Sequence, residues 1–281
     1  MLVNLKTILK DTREKNYAVG SFNVYSYETI NGVKKAVIKT GKPAIISFGA
    51  SYLKNMSLEC VKYITESAVG KLEIQTALHL DHCSDLEIIK AAIEDGFTSV
   101  MYDGSALPFE ENIKNTKAVC AMAHEKNVSV EAELGSIALG EHSNETDIDH
   151  GQAYTNPESA ARFVEETGVD ALAVSIGTVH GMYKAKPNIR IDILKDISAK
   201  VSIPLVLHGG SGTPEETIIQ CIENGICKIN VNTEISQYTV KELFKVISEN
   251  PNTHLSKLTL IQEDFVSDVV SKYINLFSNV K

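Results

Sequence analysis

Short apolar runs recur along the chain, each followed by a loop and then by apolar positions at helical spacing. The runs cover 18–24, 43–48, 75–80, 98–102, 128–134, 171–176, 204–207 and 226–231. Their near-continuous hydrophobicity is that of strands buried on both faces. The stretches between them, 28–40, 58–69, 85–95, 110–125, 157–167, 191–199 and 214–224, read as helices, and two more follow the last strand at 234–249 and 260–277. Strands alternating with helices imply parallel pairing and right-handed crossovers. Eight such units in 281 residues predict an α/β fold, a (β/α)8 TIM barrel. Gly41, Gly70, Gly96, Gly168 and Gly225 fall where helices should stop, and Pro108, Pro157 and Pro214 where they should start. Thr213-Pro-Glu-Glu216 reads as a capping box with proline in the first turn. The longest stretch that lacks either period is 135–156; it is polar, and a loop of that length is usually functional or disordered. With no linker and no repeat beyond the βα unit, 1–281 is expected to be a single domain, with that long loop at 135–156 and a helical extension at 234–281.

Barrels of this kind gather chemistry at the C-terminal ends of their strands. The predicted ends carry Asn23; His79, Asp81 and His82; Asp103; Glu131 and Glu133; His180 and Gly181; His208 to Gly212; and Asn230 to Thr233. Histidines from three strand ends, His82, His180 and His208, match the donor set of a zinc site with one open position. Each alone reads better as a core or loop histidine, so the signal lies in the set. His79 sits one alternation inside its strand, the place of a residue behind the ligands. Asp81 is the acid/base candidate. Strict alternation would send it and His82 to opposite faces, so the chain must already be turning there.

The run His208-Gly-Gly-Ser-Gly212 opens a helix, and glycines beside a helix N-terminus suit a phosphate. Alternation in the last strand points Lys228, Asn230 and Asn232 into the barrel. Lys228 is then either an ion-pair partner, with Glu131 or Glu133 opposite, or a Schiff-base nucleophile. Glu141, on the long loop, reads by itself as a solvated acid.

Composition narrows the partners. A net charge of −9 with no basic block argues against nucleic acid. No apolar run approaches the roughly 18 residues of a membrane span. Five scattered cysteines without a CxxC pair suit reduced thiols and a cytoplasmic protein. Arginine occurs only as Arg13, Arg162 and Arg190, so an anion site must rely on lysine, backbone N–H groups and helix termini.

Seven segments together resemble the class II, zinc-dependent ketose-bisphosphate aldolases: YAVGSFNV (17–24), LHLDHCSD (78–85), GFTSVMYDGS (96–105), VSVEAELG (128–135), TGVDALAVSIGTVHGMYK (167–184), PLVLHGGSG (204–212) and KINVNTE (228–234). The resemblance implies a barrel that forms homodimers or homotetramers and cleaves fructose or tagatose 1,6-bisphosphate to dihydroxyacetone phosphate and glyceraldehyde 3-phosphate. It implies Zn2+ on His82, His180 and His208, with Asp103 and Glu133 as an alternate second-metal position. It assigns Asp81 to the C4 hydroxyl and Glu141 to proton transfer from a mobile loop. The phosphate grip falls on Gly181, Gly209, Gly210, Ser211, Asn230, Val231, Asn232 and Thr233. Gly181, Gly209 and Ser211 also match positions for a monovalent cation, Na+ or K+, and Asn23 lies toward the distal phosphate. Two positions depart from the pattern: His142 follows Glu141 where the family usually has Asp, and Lys257 stands nearest to a family Arg that reaches the distal phosphate of a neighbouring subunit. Two alternatives remain, a Schiff-base aldolase using Lys228 and a non-catalytic phosphosugar-binding barrel.

Overall fold

The computed structural model describes residues 1–143, 153–184 and 187–278. Eight parallel strands close a barrel: β1 (Val19–Asn23), β2 (Ala44–Gly49), β3 (Thr76–Cys83), β4 (Ser99–Tyr102), β5 (Ser129–Leu134), β7 (Ala171–Val174), β9 (Leu205–Leu207) and β10 (Ile226–Val231). Around the ring the order is β1-β10-β9-β7-β5-β4-β3-β2. Two-residue strands β6 (Ala138–Leu139) and β8 (Val179–His180) pair with each other outside the ring. Helices α2 (Tyr27–Thr40), α3 (Leu58–Val69), α4 (Leu86–Asp95), α5 (Phe109–His124), α6 (Pro157–Thr167), α7 (Ile191–Lys200) and α8 (Glu215–Glu223) lie between barrel strands, and α9 (Thr233–Glu249) and α10 (Leu255–Ser278) complete the chain. Among the described residues no helix is long and apolar enough to cross a membrane.

Burial is layered. The main apolar core packs the outward faces of the strands, such as Leu78, Leu80, Ile229 and Val231, with apolar residues of the helices. The barrel floor is closed by α1 (Leu5–Ile8), a short helix that the sequence pattern did not announce. Its Leu5, Ile8 and neighbouring Leu9 pack on Val19, Ile45 and Ala77. Toward the opposite rim the buried side chains turn polar: His79, Asp81, Glu131, Glu133, Lys228 and Asn230.

Several boundaries differ from the expected ones. The third strand runs on to Cys83 because a bulge absorbs His82, which adopts φ 42° and shifts the register against β4. Helix α8 starts at Glu215 behind Pro214 with no side-chain cap, so the capping box is not formed. The Thr213 hydroxyl bonds the Gly209 carbonyl (3.0 Å) and Tyr183 (2.8 Å) instead. Gly70 ends α3 in a right-handed conformation, unlike the left-handed Gly41, Gly96 and Gly168. Helix α10 begins at Leu255, ahead of the predicted 260. A 3-10 helix, Ala50–Lys54, follows β2 unannounced. Of the long loop, residues 144–152 lie outside the described residues. The part before them is tied down by β6 and by a two-way backbone bridge between Glu141 and Met182 (2.8 and 2.7 Å).

Candidate active site

The rim brings His82, His180 and His208 together. Their ring centroids are 4.5–5.8 Å apart, and one nitrogen from each lies within 4.8 Å of the others. His82 reaches this point through its bulge. A left-handed conformation is unusual for a residue with a Cβ and marks a position over-determined by its surroundings. Here it lets Asp81 and His82 share one side of the barrel, the turn that their adjacency required. His82 Nδ1 meets Asp103 Oδ2 at 2.9 Å, and its Nε2 lies 2.7 Å from His208 Nδ1. The other nitrogen of His208, Nε2, meets Glu131 Oε1 at 2.9 Å. His180 Nε2 is buried and has no hydrogen-bond partner.

Electrostatics follow from burial and neighbours. Burial, reinforced by the charges of His82 and His208, pushes His180 well below the usual histidine value. Burial and His82 also lower His208. Both shifts favour the neutral ring, the form that ligates a metal. Burial opposes a proton on His82, but the hydrogen bond to Asp103 and the charge of Asp81 outweigh it and raise its pKa. The carboxylates that favour that proton equally favour a cation beside the ring. The donors thus fit a zinc ion: three imidazole nitrogens, one an orphaned buried acceptor, with Glu131 and Asp103 orienting two of the rings. A second set, His82, Asp103 and Glu133, also lies within 4.8 Å, matching the alternate position.

Asp81 is fully buried and accepts from Asn23 Nδ2 (2.9 Å) and Asn230 Nδ2 (3.1 Å). Burial would raise its pKa, but His82 and Lys228 outweigh it and hold the carboxyl ionised. Asn23 is thus a direct partner of Asp81. His79 lies behind, its Nδ1 3.0 Å from Ser99 Oγ and its Nε2 3.8 Å from Asp81 and 3.7 Å from Glu131. Lys228 points into the barrel, as alternation predicts, and pairs with Glu131 (2.9 Å), which matches the ion-pair reading.

The glycine loops gather at the same rim. Gly181, Gly209, Ser211, Asn230, Asn232 and Thr233 line an inner pocket with the three histidines and Asn23. Gly209 has φ 71°, and a Cβ there would fall 2.2 Å from the Val179 carbonyl, so only glycine lets β9 turn this close to β8. The Gly210 N–H is spent on the Asn230 carbonyl (2.9 Å), and Ser211 Oγ accepts from the N–H groups of Asn232 (3.3 Å) and Glu234 (3.2 Å). Buried Val231 packs outward in the core. Two expected residues stand apart. Glu141 is exposed on its bridge, and Lys257, exposed in the first turn of α10, lines neither the inner pocket nor the cleft outside it.

That cleft, of about 480 Å³, continues from Asn232 and Thr233 to Tyr25, Tyr52 and Asn55, with His142, Ser143, Ser236 and Gln237 completing it. Sequence reasoning missed this wall. Tyr52 is held by Asn232 Nδ2 (2.9 Å) and rests against Tyr25. The signal available was an aromatic just past each of the first two strands, a place where the barrel rule points to function.

Fold and site together define a barrel lyase with a histidine cluster on its catalytic rim. A profile of the class-II fructose-bisphosphate aldolases matches residues 3–281, and the chain belongs to that family. It is 36% identical to a sulfofructosephosphate aldolase of Alkalicoccus urumqiensis over 98% of this chain and 96% of that one. It is 40% identical to a fructose-bisphosphate aldolase of Giardia intestinalis over 89% and 84%. The crystal structure of the YdjI aldolase from Escherichia coli K12 superposes with a TM-score of 0.87 at 36% identity, covering 99% of this chain and 97% of that one.

Proposed function

We propose that this protein cleaves fructose or tagatose 1,6-bisphosphate reversibly to dihydroxyacetone phosphate and glyceraldehyde 3-phosphate, with zinc on His82, His180 and His208. The observation that carries this reading is the convergence of three imidazoles, one with a buried unpartnered nitrogen, beside an ionised buried Asp81. When bound, the zinc supplies Lewis acidity toward the ketose carbonyl. Asp81, oriented by Asn23 and Asn230, takes the C4 hydroxyl proton as the C3–C4 bond breaks. Glu141 delivers the proton to carbon that releases dihydroxyacetone phosphate. Gly181, Gly209, Ser211, Asn230, Asn232 and Thr233 hold the phosphate of that half, aided by the N-terminus of α9 and by Na+ or K+ on Gly181, Gly209 and Ser211, while Gly210, its N–H bonded to Asn230, and Val231, packed outward, shape the two loops without lining the pocket. Fixing that phosphate presents the right carbons to Asp81. Lys257 of a neighbouring copy in a homodimer or homotetramer meets the distal phosphate.

One observation favours a second reading of the distal half. The described residues lining the outer cleft include no lysine or arginine. A ketose 1-phosphate with a less charged tail, or the sulfofructose phosphate of the Alkalicoccus relative, would suit such a cleft.

Cleavage assays on both bisphosphates and on sulfofructose phosphate, before and after chelation, test these readings. Turnover of a bisphosphate that is lost on chelation and regained with zinc is expected. Chelation-resistant turnover with substrate trapped on Lys228 by borohydride would restore the Schiff-base aldolase. No turnover of any ketose phosphate would leave a phosphosugar-binding barrel.

A further inference from the structure

Lys228 is fully buried, yet it has no step of its own in the chemistry above. Its ammonium donates to Glu131 Oε1 (3.2 Å) and to Asn230 Oδ1 (2.7 Å), and it ion-pairs with Glu131 Oε2 at 2.9 Å. An ammonium can only donate, and each of these contacts constrains the group behind it. Glu131, held by Lys228, faces His208 Nε2 at 2.9 Å. A carboxylate there fixes the proton on Nε2 and leaves the Nδ1 lone pair toward His82. Asn230, with its oxygen committed to Lys228, has only its NH2 end left for Asp81 (3.1 and 3.4 Å) and His208 Nδ1 (3.4 Å). The inverted amide would set oxygen against a carboxylate and N–H against an ammonium. One cation therefore selects both the tautomer of a histidine and the orientation of an asparagine.

We propose that Lys228 is a positioning residue that aligns the zinc ligand His208, through Glu131, and the base Asp81, through Asn230, at the same time. This rests on the aldolase reading above and gives the one lysine buried in the barrel among the described residues a task other than nucleophile. Lys228 itself lines neither the inner pocket nor the outer cleft. The coupling follows from the strand: Lys228 and Asn230 are two residues apart on β10 and share the inner face, while Glu131 projects from β5 across the barrel.

The test compares wild type, Lys228→Met and the double variant Lys228→Met/Glu131→Gln. Zinc affinity is read by competition with a chelator, cleavage by kcat and KM separately, and folding by the thermal midpoint. In Lys228→Met, zinc affinity should fall by about 10- to 100-fold, the usual cost of removing a partner behind a metal ligand. Its kcat measured at saturating zinc should also fall, with KM little changed. The single variant leaves Glu131 buried without its cation, so its midpoint should drop or it should fail to fold. The double variant removes that unpaired charge and should recover the midpoint. Its kcat should stay low, because Asn230 is free to invert. A kcat that returns together with the midpoint would reduce Lys228 to a structural ion pair. A folded single variant with wild-type zinc affinity and kcat would also overturn the proposal, as would borohydride trapping of substrate on Lys228 in the wild type. Absence of ketose-phosphate cleavage by the wild type would instead remove the functional reading, leaving the zinc affinities to judge the His208 arm.

Discussion

At the scale of single residues, the proposed base and the proposed metal ligand beside it have separate partners. Asp81 touches Asn23 and Asn230, while His82 faces Asp103, although the two are adjacent in sequence. Asp81→Ala should therefore keep its zinc and lose cleavage by about 10² to 10⁴, the usual contribution of a general acid–base group. Solvent-deuterium exchange into dihydroxyacetone phosphate should survive better than cleavage in that variant; equal losses would mean that Asp81 serves the carbon proton or props up His82. His79 yields a prediction in pH. Burial first, then the charge of Lys228, pushes its pKa from 6.5 down to about 4. Between those values the unfolded chain binds a proton that the folded chain refuses, so stability falls as pH drops from 6.5 to 4. The full loss is on the order of 3 kcal/mol. Denaturant titrations of wild type and His79→Gln across that window should show a flatter slope in the variant; parallel curves would mean that His79 is protonated in the fold. The identities of these groups could be read from the chain, because strand ends in a barrel all face one mouth. Their pairings could not. That Glu131 rather than Glu133 takes Lys228, and that Asn230 turns to Asp81, depends on distances across the barrel that no local pattern encodes.

At the scale of elements, the strand ladder was readable because each strand is an apolar run between turn residues. Errors fell where tertiary contacts override local pattern. His82 sits in a bulge inside β3, Thr213 spends its hydroxyl on Gly209 and Tyr183 rather than capping α8, and α10 gains its first turn ahead of its apolar stripe. The pair α2 and α10 shows the same primacy of packing. Asn31 and Lys35 on α2 meet Glu263 on α10, and Lys35 also meets Asp264. Gly32 lies between them, where a Cβ would fall 2.5 Å from Val266 and 3.0 Å from the Glu263 carbonyl. In an exposed helix, glycine to alanine gains up to about 1 kcal/mol. Here the sign should reverse: Gly32→Ala should destabilise by about 1–3 kcal/mol through overpacking. A thermal midpoint raised by that substitution would show that the two helices can part without cost.

At the scale of the whole molecule, α9 and α10 carry apolar residues left exposed among the described residues: Val240 is 64% exposed, Phe244 71%, Leu255 70% and Leu260 57%. Such a surface suits a second copy. Light scattering should find a dimer or tetramer, and Val240→Glu/Phe244→Glu should shift it toward monomer; an unchanged assembly would move the contact elsewhere. The two ends of the barrel also carry different burdens. The floor is an apolar plug of α1 against the starts of β1, β2 and β3, while the rim holds the histidines and the cleft walls. Tyr52 and Asn55 stand on or just after a one-turn helix outside the strand ladder. On the reading proposed above, a substitution at Asn55 reshapes the wall that faces the distal half without entering the barrel core, whereas one at Tyr52 also releases Asn232 of the phosphate grip, so the two neighbours differ in how freely they can change.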